Sequence, residues 1–378
     1  MKRVIDIDGG ARHQRAVVAA LDIPAQDYTP RILLDELKIL LVNLNIDVAG
    51  EVIQRRDKPD PAYMLGRGKA EESALFCKEV KADLFVCNEQ LTPGQRLNLQ
   101  QILGIEIWDR PFVIMKIFER RARTTEARLQ IELAMCQYEI PHLKGLGRQM
   151  SRLGAGIGTR GPGETEFERH RRKLERRVRD INERLVKVRK RRTFQRYRRE
   201  KAGIPTVALT GYTNSGKSTL LQQLSHGRNL YVADQLFSTL DTYVRKVELS
   251  DGHDVLVSDT VGFIRDLPPA LIAAFRTTLE EISVSSLILL VLDGSMPDVM
   301  ETLDVVEETL SDIGAGAIPR LIVLNKIDKI DLSLIPFLQT RLQGRSKAKV
   351  LPICALSGVG VTELLQEVEY QLFNKMAK

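Results

Sequence analysis

The string Gly211-Tyr212-Thr213-Asn214-Ser215-Gly216-Lys217-Ser218, followed by Thr219, has the residue types and spacing of a phosphate-binding loop, G-x-x-x-x-G-K-[ST]. Glycines let the backbone approach a phosphate chain and turn its N–H groups inward, forming an anion nest at the start of a helix. Lys217 is placed to reach the β- and γ-phosphates and stabilise their charge during transfer. The Ser218 hydroxyl is placed to ligate Mg²⁺. An isolated glycine string in a strand–helix turn is the bland alternative. The apolar run Val207-Ala208-Leu209 before the loop and the Leu220-Leu221-Leu224 stripe after it supply the strand and helix that the functional reading requires.

Further along, Asp259-Thr260-Val261-Gly262 ends an apolar strand, Val255-Leu256-Val257. That is where a carboxylate behind Mg²⁺ belongs, with the Gly262 N–H free to sense a γ-phosphate. Asn325-Lys326-Ile327-Asp328 follows the apolar run Leu321 to Leu324. The Asp328 carboxylate can accept from guanine N1–H and from the exocyclic amine. Adenine offers neither donor and would strand the carboxylate, at roughly 1.5–3 kcal/mol per charged hydrogen bond, so GTP is expected over ATP. Phe237-Ser238-Thr239-Leu240-Asp241 lies where a switch segment should present a threonine hydroxyl to Mg²⁺; Thr239 is the first choice and Thr242 the alternative. Cys354-Ala355-Leu356 is placed to cover the guanine with backbone N–H groups. Phe263 stands where many GTPases carry a water-orienting glutamine, and its ring offers water no hydrogen bond. Slow intrinsic hydrolysis is therefore expected.

The elements that position these groups follow from periodicity. After the phosphate loop, strands are expected at 242–250, 253–259, 286–292, 320–324 and 350–354, with helices from near Pro269, Met300, Leu334 and Val361. Residues 204–378 then form one nucleotide-binding domain, and no further domain is expected after the last helix. Residues 1–29 are expected to be an irregular lead-in. Strands at 48–53, 83–86 and 105–108, alternating with helices from Arg31, Lys69 and Pro93, suggest a small α/β domain over 30–110. Its Gly66-Arg67-Gly68-Lys69 lacks phosphate-loop spacing and is expected to be a helix entry.

Residues 111–203 are expected to form a basic antiparallel helical hairpin. The stretches 111–144 and 164–201 have few breakers, and Leu174, Val178, Ile181, Leu185 and Val188 make a heptad-like stripe. Between them, residues 145–164 carry seven glycines with Arg148, Arg152 and Arg160. A disordered linker is the alternative to a functional tip. Residues 111–201 hold 26 Lys+Arg against 11 Asp+Glu, a net of +15, whereas the rest of the chain, with 30 against 38, is at −8. So large an excess on one segment exceeds what a balanced solvated face needs and points to a polyanion. Apolar runs are too short to span a membrane, and Asp6 and Asp8 interrupt any export signal. Cys77, Cys87, Cys136 and Cys354 lack paired metal-ligand spacing and read as reduced thiols in a cytoplasmic protein.

The combined motifs resemble the HflX-type GTPases, a branch of the translation-factor-like P-loop GTPases. The likeness runs from about residue 35 to the end. It includes KPDPAYMLGRGKAEE, NEQLTPGQRLNLQ, WDRPFVIMKIFERRARTTEARLQIELA, GAGIGTRGPGETEFE and DTVGFIRDLP, in that family's order. The resemblance implies an α/β fold in which a small α/β domain and a long helical hairpin precede the GTPase domain. It also implies binding to the large ribosomal subunit and its rRNA near the peptidyl-transferase centre, with GTP-dependent dissociation of stalled ribosomes. Two rivals are a GTPase of ribosome assembly or RNA maturation and an RNA-binding hairpin merely gated by GTP. The sequence departs from the family at Thr242-Tyr243-Val244, where a proline and threonines are usual, and at Cys354-Ala355, where Ser-Ala is usual. Some members carry an extra C-terminal domain that is not expected here.

Overall fold

β1 (Gln14–Asp22) lies in the stretch where an irregular lead-in is expected, and it corrects that expectation. Its run Ala16 to Leu21 is wholly buried. A strand covered on both faces shows no polar–apolar alternation, and alanine has little strand preference, so periodicity does not reveal it. In the computed structural model, described residues are 14–24, 29–122, 124–153, 162–201, 203–225, 243–249, 251–259, 262 and 282–374, with only the backbone for 144–153, 162–167, 189–201, 243 and 374. β1 is flanked by β2 (Ile46–Arg55) and β3 (Leu84–Cys87), and β4 (Glu106–Asp109) pairs with β3. All these pairs are parallel.

The crossovers are helices, as a parallel sheet requires. α1 (Pro30–Val42) opens on a proline and buries Leu33, Leu34, Leu37, Leu40 and Leu41. α2 (Arg67–Glu79) begins directly after Gly66, so the Gly66 to Lys69 string is a helix entry. α3 (Pro93–Leu103) starts on a reciprocal Thr92–Gln95 capping box. The stretch 111–144, with its few breakers, is mostly helix, in two pieces: α4 (Arg110–Arg121) and α5 (Thr125–Leu153). The Thr124 hydroxyl accepts from the Ala127 N–H at 3.2 Å and caps the second. α6 (Pro162–Lys201) follows.

Arg177 reaches Glu132 through Nε at 2.6 Å and Nη2 at 2.7 Å. His170 lies 3.6 Å from Glu139. One index rises as the other falls, so α5 and α6 run antiparallel over this stretch. On α6 the expected stripe faces inward: Ile181 and Leu185 are buried, and Leu174, Val178 and Val188 are half-buried. Residues 154–161 of the expected tip lie outside the described residues.

At the end of β4, Asp109 Oδ1 accepts from the Phe112 N–H at 3.0 Å and the Tyr138 hydroxyl at 2.8 Å, and Oδ2 accepts from the Leu91 N–H at 3.0 Å. Tyr138 belongs to α5, so a buried carboxylate ties that helix to the sheet edge. Beside it, the buried Arg110 pairs with Glu36 at 3.0 Å. Residues 1–120 with 131–183 make one compact unit, and 121–130 with 184–378 make the other. The helical segment is thus divided between two units.

In the second unit, β5 (Thr206–Thr210), β6 (Tyr243–Glu248), β7 (Asp254–Asp259), β8 (Leu287–Asp293), β9 (Arg320–Asn325) and β10 (Lys349–Pro352) form a sheet of order β10-β9-β8-β5-β7-β6. Only β6 is antiparallel. α7 (Lys217–Leu224), α8 (Val299–Asp312), α9 (Ile335–Ser346) and α10 (Val361–Glu369) are its described helices. The helix expected from Pro269 falls outside the described residues. After β5 the chain fills one side of the sheet and then crosses to the other. This makes the carboxyl ends of β5, β7, β8 and β9 the place where a ligand site is expected.

Candidate nucleotide site

Thr210, Asp259, Asp293 and Asn325 end those four strands on one edge. From β5 the chain enters the phosphate loop at Gly211, whose φ is 141°. A Cβ there would lie 2.1 Å from the Val291 carbonyl oxygen, so both conformation and space demand glycine. Gly216, at φ 93°, is the N-cap of α7, and a Cβ on it would lie 2.2 Å from Asn325 Nδ2. Asn214 is also left-handed, at φ 63°, a region that asparagine tolerates better than most residues. Ser215 Oγ is buried and has no hydrogen-bond partner among the described residues. The loop thus wraps the start of a helix with an inward hydroxyl, as an anion site requires.

Lys217 is only 6% exposed, and its Nζ donates to the carbonyls of Gly211 at 3.1 Å and Tyr212 at 2.7 Å. Burial lowers its pKa to about 8; the charge of Asp259 opposes that shift and the charge of Lys326 adds to it. Neutral carbonyls compensate a buried ammonium poorly, so a polyphosphate is the partner that this environment favours. Ser218 Oγ donates to Asp259 Oδ2 at 2.7 Å. The hydroxyl expected to ligate Mg²⁺ and the carboxylate expected behind it are therefore side by side, and this donor set fits that ion. A Cβ on Gly262 would lie 2.9 Å from both Lys217 Nζ and Thr213 Cα, which puts the Gly262 backbone directly against the phosphate loop. Thr260, Val261, Phe263 and Phe237 to Thr242, including the expected metal ligand Thr239, lie outside the described residues.

The base-reading loop is braced by Asn325. Its Nδ2 donates to the Ser215 carbonyl at 2.8 Å, and its Oδ1 accepts from the Ala355 N–H at 2.9 Å. One buried side chain therefore joins the phosphate loop, β9 and the segment after β10. Ile327 and Asp328 begin a short 3-10 turn, with Asp328 exposed and so accessible to a base edge. The strand expected over 350–354 ends at Pro352. Cys354 lies past the end of β10, and its N–H donates to the Val359 carbonyl at 3.0 Å. The Ala355 N–H is committed to Asn325, while Leu356 stands 81% exposed. Two of the three N–H groups expected to cover the guanine are thus used within the protein.

Sequence reasoning missed Asp293, whose Oδ2 lies 2.7 Å from Lys326 Nζ. The available signal was a carboxylate ending the uninterrupted apolar run Leu287 to Leu292, level with the other site residues. Among the described residues, no cluster of three or more His, Cys, Asp or Glu side chains could hold a metal by itself.

Fold and site together define a P-loop GTPase. Family models match as follows: "GTP-binding GTPase N-terminal" over residues 32–119, "GTP-binding GTPase Middle Region" over 121–199, and "50S ribosome-binding GTPase" over 206–326. The GTPase HflX of Caldanaerobacter subterraneus is 44% identical over 363 residues, covering 96% of this chain and 81% of that protein. The GTPase HflX of Escherichia coli K12 is 37% identical over 345 residues, covering 91% and 80% respectively. The chain belongs to the HflX family of GTPases. The crystal structure of SsGBP with GDP has the same fold, with a TM-score of 0.53 at 24% identity over 97% of this chain and all of that one.

Proposed function

We propose that the chain binds the large ribosomal subunit in its Mg²⁺·GTP state, dissociates stalled or idle ribosomes, and lets go after hydrolysis. The observation that carries this reading is the net +15 of residues 111–201, most of it on α6, which runs antiparallel to α5. A charge excess of that size on a long helical surface suits the phosphates of folded RNA. The matched family description, "50S ribosome-binding GTPase", agrees with it. No helix among the described residues is long and apolar enough to cross a membrane, and we place the protein in the cytoplasm.

At the nucleotide, the residues divide the work. The phosphate-loop N–H groups and Lys217 bind the phosphates and offset their growing negative charge. Ser218, together with Thr239, would hold Mg²⁺, which neutralises charge between the β- and γ-phosphates. Asp259 orients the Ser218 hydroxyl, Asp328 selects guanine, and Asn325 keeps the phosphate and base loops in register. Contacts from Thr239 and Gly262 to a γ-phosphate would order residues 237–242 and 259–265, and loss of that phosphate would release them. With Phe263 unable to orient water, hydrolysis is slow until the ribosome supplies the missing order.

Deleting residues 149–160 and bridging them with a short Gly-Ser turn tests this reading. GTP binding should be unchanged and salt-sensitive ribosome binding largely retained through α6. Subunit splitting and ribosome-stimulated hydrolysis should be lost. A deletion variant that splits ribosomes at the parent rate contradicts a functional tip.

A further inference from the structure

The carboxylate at the end of β8 is tied to the residue that begins the base-reading turn. Asp293 Oδ2 lies 2.7 Å from Lys326 Nζ, with the two side chains 14% and 19% exposed. The other oxygen, Oδ1, accepts from the Ser295 N–H at 3.0 Å and the Ser295 hydroxyl at 2.6 Å, so the carboxylate is held from both sides. The Gly294 N–H donates to the Asn325 carbonyl at 2.9 Å. A Cβ on Gly294 would come within 3.2 Å of that same oxygen, so this turn is packed closely against the start of the base loop. Lys326 sits at φ 63°, a conformation disfavoured for any residue with a side chain. Such a conformation persists only where its surroundings hold it. Asp293 is the charged group that the structure places on Lys326, and Asp328, two residues on, takes its direction from that backbone.

We propose that Asp293 is a positioning residue for guanine-nucleotide binding, acting through Lys326. The ion pair holds the left-handed turn that presents Asp328 and thereby sets how long the nucleotide stays bound. Asp293 itself touches neither base nor phosphate. This rests on assigning residues 325–328 to the base, so the test includes a control for that assignment.

The experiment compares Asp293→Asn, Lys326→Ala and the double variant. Asparagine keeps an acceptor for Ser295 and removes the charge that holds Lys326. Dissociation of a fluorescent GDP analogue is followed after a chase with unlabelled GDP. Each single variant is expected to release the nucleotide about tenfold faster with association little changed, and the double variant to match the singles, because coupled residues are non-additive. Release at the parent rate in Asp293→Asn overturns the proposal. So does a double variant in which the two factors multiply to about a hundredfold, which would mean that Asp293 acts independently of Lys326. Asp328→Asn is the control: if it fails to shift preference from guanine to xanthine diphosphate, the base-loop assignment fails. If it does shift and Asp293→Asn still releases at the parent rate, only the positioning role fails.

Discussion

Asn325→Ala is the change through which the architecture of the site can be tested most sharply. Asn325 is 2% exposed. It satisfies the Ser215 carbonyl at 2.8 Å and the Ala355 N–H at 2.9 Å. Alanine strands both backbone groups, and each buried unsatisfied group costs about 1–3 kcal/mol. Water entering the vacated space recovers part of that, leaving a net loss of about 2–4 kcal/mol. For a domain of this size each kcal/mol lowers Tm by about 2–4 °C, so the GTPase unit should melt about 5–15 °C below the parent. The loss should also reach the ligand, because the phosphate loop and the base loop no longer share a brace; GDP affinity should fall by at least about tenfold. Thermal unfolding of the nucleotide-free protein and calorimetric GDP titration measure the two effects. Asn325→Asp separates shape from hydrogen bonding: it keeps an acceptor for Ala355 but turns an oxygen toward the Ser215 carbonyl, and it should be no better than alanine. Parent-like melting together with parent-like GDP affinity in Asn325→Ala would refute the bracing role.

Three further outcomes follow from the same geometry. Lys217, with its folded-state pKa lowered by burial to about 8 from 10.5, leaves the nucleotide-free fold with fewer bound protons than the unfolded chain between those values. Its stability should therefore rise with pH across that window; nucleotide binding at pH 8.5 should take up a proton, read by calorimetry in buffers of different ionisation enthalpy, and Lys217→Met should abolish the uptake. Ser218→Ala removes the hydroxyl that Asp259 holds at 2.7 Å, so Mg²⁺-dependent GTP binding should weaken, seen as a smaller gain in affinity when the ion is added. Tyr138→Phe removes one of three donors to the buried Asp109 and should destabilise the N-terminal unit by about 1–3 kcal/mol in denaturant melts, with GTP affinity unchanged.

The local chemistry of the GTPase unit was readable because each motif sits where an apolar strand stops. Strand ends set the positions of Gly211, Asp259 and Asn325, and the phosphate loop announces its own turn. What the residues do to one another was not readable. That Asn325 spans two loops, or that Ala355 spends its N–H on Asn325, depends on contacts between residues 30 and 110 positions apart. Asp293 had only a weak signal, a single carboxylate ending an apolar strand, and its tie to Lys326 is again a contact between residues far apart in the chain. β1 escaped because two-sided burial erases alternation, and the break between α4 and α5 because a lone threonine cap within a helix-forming stretch is a weak signal. The stripe on α6 was legible, its spacing following directly from helix geometry.

The central claim is that guanine nucleotide, read by Asp328, gates binding to the large ribosomal subunit. The most direct measurement is co-sedimentation of the Asp328→Asn variant with purified large subunits, comparing GTP, XTP and their diphosphates, each also with the parent protein. The amide should donate to the xanthine carbonyl where the carboxylate accepted from guanine. The account predicts that GTP drives the parent, and XTP but not GTP drives the variant, into the large-subunit peak, with neither diphosphate doing so. Equal sedimentation of parent and variant with every nucleotide, or with none, would contradict it.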